Sequence, residues 1–448
     1  MKGTLKIRWF VIPVVVAVLV VGAVVDSLAQ DKQKVKIAHF YDPMGSGDLL
    51  SNFEWLMRQI GGFEAEFSNL KVEDEIYIWN QIDTKAMTDF RAGIPHDVML
   101  SSPQLMPMHF LVGDYLDLSP YINQWTVEEF KDFSWSPVWQ KAVQGDVQLA
   151  ITTGTHTRAV AYRRDMFEEV GLDPNRPPQT LEELVEYAKR LTRDIDGDGK
   201  TDIWGLGMFF GPSRATIELF VAPFIWHFGG QLWDPKTKRA VFASEAGVKA
   251  AQFVYDLVYT YKVTPEFSVT GGYDDRILAD FLQGKTAMSF GYGSYWIGAL
   301  ESEGFIEGCF PATSACTPIK ADIFLNPTAP QAAFTNAWYF SIHKLSKNPD
   351  ASFELIEYLL RPEILNEFPD AGLPARLSLW ERPGYQTPFY QKWLNAARNG
   401  RAMPPTAHYG ELADIVAVAF QEILVNQAPI AATLKKFEDQ YNARFAGE

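Results

Sequence analysis

Cysteine is almost missing: 448 residues contain only Cys309 and Cys316. Two cysteines with no histidine nearby do not complete a zinc site, but close together in an oxidising compartment they form one small disulfide loop. Histidine is sparse as well. His39, His96, His109, His156, His227, His343 and His408 stand singly, with no His-Glu-x-x-His pair and no Gly-x-Ser-x-Gly elbow, so those hydrolase signatures are excluded. Basic residues are in deficit, 40 against 55 acidic, for a formal charge of −15. That balance argues against a nucleic-acid backbone as partner. After Ala29 no apolar run approaches the roughly 20 residues that span a bilayer, and there is no internal repeat or low-complexity tract. A composition 47% hydrophobic and 21% charged excludes disorder, collagen and a polytopic membrane protein.

What is present in excess is aromatic: 13 Trp, 18 Tyr and 31 Phe. Trp is hard to bury completely, so several of these rings are expected to line a groove. The length sets a prior of two or three domains of about 150 residues. At the N-terminus Lys2, Lys6 and Arg8 precede an apolar run from Trp9 to Val25, followed by Ser27-Leu28-Ala29, a small-x-small cleavage triplet. Pro13 and the short run fit an export signal over residues 1–29 better than a permanent anchor; left uncleaved, the segment would tether the chain to the membrane.

Along the remainder, β-rich runs alternate with helical periodicities. Strands are expected at Val35–Phe40, Ile76–Trp79, Asp97–Leu100, Val147–Thr152, Ala159–Arg163, Thr286–Tyr292 and Ala337–Ile342. Leu181, Leu184, Val185, Ala188 and Leu191 mark one buried helical face, with Thr180 and Glu183 as a capping box. Gly247–Tyr261, Asp350–Leu360, Gly410–Leu424 and Pro429–Arg444 also read as amphipathic helices. Strands separated by helices predict an α/β fold with parallel βαβ units.

Two motifs need context. Ala279 to Thr286 resembles a phosphate-binding loop, yet helix Arg276–Leu282 comes before it and strand Thr286–Tyr292 after, the reverse of the order that aims helix N–H groups at phosphate. Gly284 is better explained as the helix end. Asp194, Asp196, Asp198, the Lys200 carbonyl and Asp202 fall at positions 1, 3, 5, 7 and 9 of a Ca²⁺ loop. Position 12 is Gly205, where a bidentate Glu is expected. The two readings are a structural Ca²⁺ site and a solvated Asp/Gly turn.

The order of short motifs over nearly the whole exported part resembles the family 1 extracellular solute-binding proteins of ABC importers, the carbohydrate-binding, maltose-binding-protein-like group. Phe63-Glu64-Ala65-Glu66 is similar to its "F-E-x-x-x-P" opening. Ala92, Gly93, Pro95, Asp97 and Val98 resemble "A-A-G-x-x-P-D-V", and Gly113, Leu116, Asp117 and Leu118 resemble "G-x-L-x-D-L". Tyr162 to Leu172 is similar to "Y-N-K-D-L-F-x-x-A-G-L", with Asp165, Phe167 and Gly171 in place. Pro178, Thr180, Glu183 and Leu184 follow "P-x-T-W-x-E-L". Phe281 to Met288 and Leu373 to Arg376 complete the series. Two departures touch the ligand: Asn336-Ala337-Trp338 stands where the family often has Gly-Gly, and Ser101-Ser102 replaces a carboxylate.

The resemblance implies a two-lobed type II binding-protein fold, each lobe a sheet flanked by helices. The N-terminal lobe would take 30–154 plus 335–376, and the C-terminal lobe 155–334 plus 377–448. Crossings are expected near Thr153–Thr157, Ala332–Asn336 and Ala375–Leu377. Strand ends facing the cleft then nominate Tyr41, Asp42, Asn80, Ser101, Ser102, Thr155, Trp226, Tyr292, Ser294, Trp296, Asn336, Trp338 and Arg376. Gly291 to Trp296 is the favoured contact, since glycines beside aromatics at a strand end suggest close approach to a ligand. The chemistry suits a sugar: rings cover its C–H face while Asp, Asn, Ser and Arg exchange hydrogen bonds with hydroxyls. The resulting expectation is a non-enzymatic, monomeric receptor with no required cofactor that delivers carbohydrate to an ABC permease. The competing class is an exported glycoside hydrolase with a carboxylate pair; presentation of ligand to a membrane sensor differs only in the partner.

Overall fold

The computed structural model describes residues 32–445 and 447, apart from 46–47, 79–80, 95, 103–104, 272–275, 329–332 and 369–372. The expected export segment 1–29 and the candidate Asn80 lie outside the described residues. The first part of the chain forms β1 (Gln33–His39), α1 (Asp48–Glu66), β2 (Leu70–Ile76), α2 (Ile82–Ala92), β3 (Val98–Ser101), α3 (Met106–Val112), α4 (Val127–Ser134) and β4 (Ala150–Thr152). It continues through β5 (His156–Arg163), α5 (Leu181–Leu191), β6 (Trp204–Gly207), α6 (Ala222–His227), α7 (Glu245–Tyr255), α8 (Arg276–Leu282), β7 (Thr286–Gly293) and β8 (Ala321–Phe324). The last part comprises β9 (Tyr339–Ile342), α9 (Pro349–Leu359), α10 (Pro388–Arg398), α11 (Tyr409–Leu424) and α12 (Ile430–Phe445).

Two mixed sheets organise these elements, in the orders β2-β1-β3-β9-β4 and β8-β5-β7-β6. β1 runs parallel to both β2 and β3, because a helix returns the chain between them. The expectation of parallel units throughout is corrected. β9 lies antiparallel to β3 and β4, and β5 lies antiparallel to β7 and β8; only β6 and β7 are parallel in the second sheet. The reason is connectivity: β5 and β9 each begin directly after a segment shared by the two sheets, so no crossover helix within a sheet sets their direction.

Each sheet carries its own core. Val35, Ile37, Leu100, Ile151 and Phe340 are fully or almost fully buried in one, and Ala161, Leu206, Met288 and Ile323 in the other. Three chain segments pass between the two cores and pair with one another. Thr335 and Asn336 sit opposite Thr157 and His156, Gly154 bridges Pro374, and the Thr157 and Thr335 hydroxyls lie 2.8 Å apart. At the third segment, burial alternates between the cores: Leu373 belongs to the second, Ala375 and Leu379 to the first, Trp380 to the second again.

Local chemistry explains the shifts from the sequence reading. The strand expected at Ile76–Trp79 is instead Leu70–Ile76, where Leu70 and Val72 alternate inward and Lys71 and Glu73 outward. The apolar cluster that suggested otherwise is surface: Ile78 is 61% exposed. Thr180 caps α5 by accepting from the Glu183 amide at 3.2 Å, but Glu183 accepts from Gln179 rather than Thr180, so the box is half formed. A complete box stands at Thr126 and Glu129, at the start of α4. The expected Gly247–Tyr261 helix is α7 followed by a π-helical stretch, Asp256–Thr260. Gly284, at φ +77°, ends α8 immediately before β7, so the phosphate-loop look-alike is a helix end.

Gly205 fixes how α5 meets β6. A Cβ there would stand 2.0 Å from the Ala188 carbonyl oxygen, so the helix lies directly on strand backbone and only glycine fits. Gly205→Ala is expected to destabilise the fold by about 1–3 kcal/mol through overpacking, read as a lower melting temperature; an unchanged transition overturns this account.

Candidate functional site

Register brings most of the nominated residues to one level of the molecule. Ala38 pairs with Met99 across β1 and β3, so continuing the register sets Tyr41 beside Ser102. Tyr339 pairs with both Ser101 and Thr152, which puts Trp338 and Asn336 next to the same strand ends. From the second sheet, Gly293 pairs with Arg158 and Asn336 with His156. Thr155, Tyr292 and Ser294 therefore arrive where the two sheets meet. This is the cleft between the lobes, framed by the paired crossings.

The first lobe supplies an aromatic cluster in which Phe40 and Tyr41 are buried and Trp338 is half-buried. The half-buried Trp338 ring lies 4.4 Å from Phe40, and Tyr41 meets Phe40 edge-on at 5.0 Å. Trp338 is held by its carbonyl, which accepts from the Thr153 amide at 2.9 Å and hydroxyl at 3.1 Å. The Trp226 ring, on α6, faces the Arg401 guanidinium at 5.7 Å. Arg401 in turn hydrogen-bonds the second crossing through Thr335 and Ala333.

The stretch around Gly291 behaves differently from its expected role. Gly291 has φ +75° at a β-bulge, and a Cβ would lie 2.9 Å from the Phe220 ring. Backbone geometry, not a ligand, demands this glycine. Tyr292 is fully buried and Trp296 only 5% exposed; they meet at 5.0 Å, with Trp393 5.7 Å from Tyr292. These rings pack the second core, and their π-faces are not an open stacking surface.

Several nominated polar groups are engaged within the protein. Ser101 donates to Tyr115 at 2.8 Å and lies 3.0 Å from the Ser341 hydroxyl. The Ser102 amide donates to Asp83 at 3.0 Å. Asp42 accepts from the Met44 amide at 2.8 Å and Asn336 from the Ala337 amide at 2.9 Å. Arg376 is engaged as well: its guanidinium donates to Asp132 at 3.0 Å and to the Leu360 carbonyl at 2.7 Å, over the Phe133 ring. Its charge braces the third crossing against α4.

Another set has no partner. Among the described residues, Thr155 Oγ1, His156 Nε2, Tyr292 OH and Ser294 Oγ are buried without a hydrogen-bond partner. A buried polar atom left unpaired costs roughly 1–3 kcal/mol, so such groups need a ligand or ordered water. They are also uncharged. Burial and the neighbouring Arg158 push the His156 imidazole down to about 3, and burial pushes the Tyr292 phenol up. Sequence reading missed His156, a lone histidine whose burial beside unpartnered hydroxyls emerges only in the fold.

Outside the cleft, Cys309 and Cys316 are joined in a disulfide. Carboxylate oxygens of Asp194, Asp196 and Asp202 lie within 4.8 Å of one another, with Asp194 oriented by the Gly197 and Gly199 amides at 2.7 and 2.8 Å. Asp198 instead turns to Lys200 at 2.9 Å, whose ammonium holds that carboxyl below its ordinary range. A cavity of about 310 Å³ between the lobes is lined by Arg58, Phe310, Phe368, Pro374, Tyr385 and Tyr390. None of these was nominated from sequence.

Comparison with known proteins places this geometry. Residues 46–364 match the model for bacterial extracellular solute-binding proteins. A probable amino-acid ABC transporter periplasmic-binding protein of Sinorhizobium fredii is 26% identical over 223 residues, covering 50% of this chain and 46% of the relative. A putative binding protein of Brucella abortus is 22% identical over 226 residues, covering 50% and 51%. The chain thus spans about half the length of the curated relatives it matches. Among solved structures, an ABC transporter solute-binding protein of Thermotoga lettingae bound with α-D-tagatose superposes with TM-score 0.75 at 21% identity, covering 92% of this chain and 99% of that one. Maltose-bound MalE3 of T. maritima gives 0.73 at 22%, with the same coverage. The architecture is the two-lobed type II binding-protein fold, and the chain belongs to the bacterial extracellular solute-binding protein family.

Proposed function

We propose that this protein is a receptor that captures a neutral carbohydrate or polyol between its lobes, outside the cytoplasmic membrane, and delivers it to an ABC permease. One observation carries the reading. Thr155, His156 and Ser294 carry buried, uncharged and unpartnered polar atoms at strand ends that meet at the crossings next to the Trp338 segment. Hydroxyl and neutral imidazole groups match a ligand rich in hydroxyls, and the half-buried Trp338 ring suits its C–H face. The sugars bound by the tagatose- and maltose-bound neighbours support the same class. The two sheets and their separate cores support lobes at 30–154 plus 335–376 and 155–334 plus 377–448. The receptor acts as a monomer and non-catalytically, after export directed by residues 1–29. Among the described residues no helix is long and apolar enough to cross a membrane.

Calorimetry against monosaccharides, oligosaccharides, polyols and the common amino acids tests the reading. A carbohydrate or polyol is expected to bind with micromolar or better affinity. Binding of an amino acid alone moves the protein to the ligand class of its Sinorhizobium relative, and turnover of a glycoside on prolonged incubation supports the hydrolase alternative.

Two aromatic substitutions separate cleft from core. Trp338→Ala is expected to weaken ligand binding by at least about 1 kcal/mol. Trp296→Ala removes a buried ring and is expected to cost about 3–5 kcal/mol of stability. If binding is unchanged in Trp338→Ala, that ring does not touch ligand.

We also propose that Asp194, Asp196 and Asp202, with the Lys200 carbonyl, hold a structural Ca²⁺; the convergence of three carboxylates within 4.8 Å supports this. Millimolar Ca²⁺ is expected to raise the melting temperature and a chelator to lower it. A transition indifferent to both overturns the proposal.

A further inference from the structure

A charged cluster is sealed beneath the floor of the cleft. His109, on α3, is completely buried, as is Asp114 just past the end of that helix; Asp83, in the first turn of α2, is 5% exposed. His109 Nδ1 lies 3.0 and 2.9 Å from the two Asp114 oxygens, and Nε2 lies 3.2 Å from Asp83 Oδ1. With both carboxyls ionised, each ring nitrogen must carry a proton, because neutral imidazole donates from one nitrogen only. Two buried carboxylates also need a cation between them, since an uncompensated buried charge is strongly destabilising.

The same cluster reaches the cleft along two routes. Asp83 Oδ1, which faces His109, also accepts the Ser102 amide at 3.0 Å, at the point where the chain leaves β3. The His109 ring stacks on Tyr115 at 4.1 Å, and Tyr115 accepts from the Ser101 hydroxyl at 2.8 Å. Ser101 pairs with Tyr339, the first residue of β9, which directly follows Trp338.

We propose that His109, doubly protonated, is a positioning residue for the cleft: clamped between Asp83 and Asp114, it fixes Ser101 and Ser102 and with them one rim of the ligand site. The role of that rim rests on the receptor function proposed above. The groups facing His109 are Asp83 from α2, Asp114 and Tyr115 from the segment after α3, and, more remotely, His343 at the end of β9. Burial by itself lowers the imidazole, but the hydrogen bonds to Asp114 and Asp83 outweigh it and raise the group to about 9. The folded value lies above the ordinary 6.5, so the stabilisation is fully present below about pH 6.5 and is lost as pH rises through about 9. Tyr115 is pushed well above 10 by burial and the two carboxylates, and stays neutral across that window.

The experiment is nitrogen NMR on ¹⁵N-histidine-labelled full chain, with amide hydrogen exchange at Ser102. One imidazole, assigned through His109→Gln, is expected to carry protons on both nitrogens at pH 7 and to titrate above pH 8. His109→Gln is expected to speed Ser102 exchange at least tenfold at pH 7. Wild-type affinity for a carbohydrate identified by calorimetry is expected to fall at least tenfold from pH 7 to pH 10, with that dependence lost in the variant. A singly protonated ring at pH 7, unchanged Ser102 exchange in folded His109→Gln, or a pH-independent affinity overturns the proposal. If His109→Gln does not fold, Asp114→Asn decides: the ring should then titrate at least one pH unit lower, and an unmoved midpoint overturns the clamp. A calorimetric panel with no ligand rejects the receptor reading alone, because the ring and amide measurements need no ligand.

Discussion

Everything in this molecule that resembles a binding site depends on three chain segments being paired to one another between two cores. Thr335 and Asn336 lie against Thr157 and His156, and Gly154 against Pro374. Without that pairing, strand ends from two independent sheets would have no fixed relation. With it, Tyr41, Ser102, Trp338, Thr155 and Tyr292 are brought to one level, although they are separated by up to 297 residues in sequence. Domain interfaces are natural ligand sites for this reason, and segments that pair but do not form a broad sheet leave room for hinge motion.

The aromatic surplus has two destinations rather than one. Trp338 and Phe40 stand at the cleft, whereas Tyr292, Trp296 and Trp393 fill the second core. For Tyr292 the address follows from the strand that carries it. β7 lies inside its sheet between β5 and β6, so its residues are buried on both faces. The segment before β9 runs along the crossing, where one side remains open to the other lobe. The family resemblance matters for this distinction: it locates a cleft, and burial then decides which rings take part.

Much of the fold was legible from residue patterns. The 3.6-residue periodicity of Leu181 to Leu191 and the order of α8, Gly284 and β7 translated directly into structure. Strand directions were not legible, because β5 and β9 take their direction from crossings that no local pattern reveals. β2 was displaced because the exposed Ile76 and Ile78 look more strand-like than the half-buried alternation that pairs. Within the site, Ser101 and Arg376 were nominated by position along the chain, and their partners Tyr115 and Asp132 come from other elements. His156 was passed over because a single histidine carries no pattern, while its burial beside unpartnered hydroxyls appears only in three dimensions.

Gly205 illustrates how one position can serve two incompatible demands. In a complete twelve-residue calcium loop the last position supplies a bidentate carboxylate; here the same position must lack a side chain so that α5 can rest on β6. Packing has won. The Ca²⁺ proposed at Asp194, Asp196 and Asp202 would therefore have to complete its shell without a carboxylate from position 12. Tightening the loop by mutation would require moving a helix.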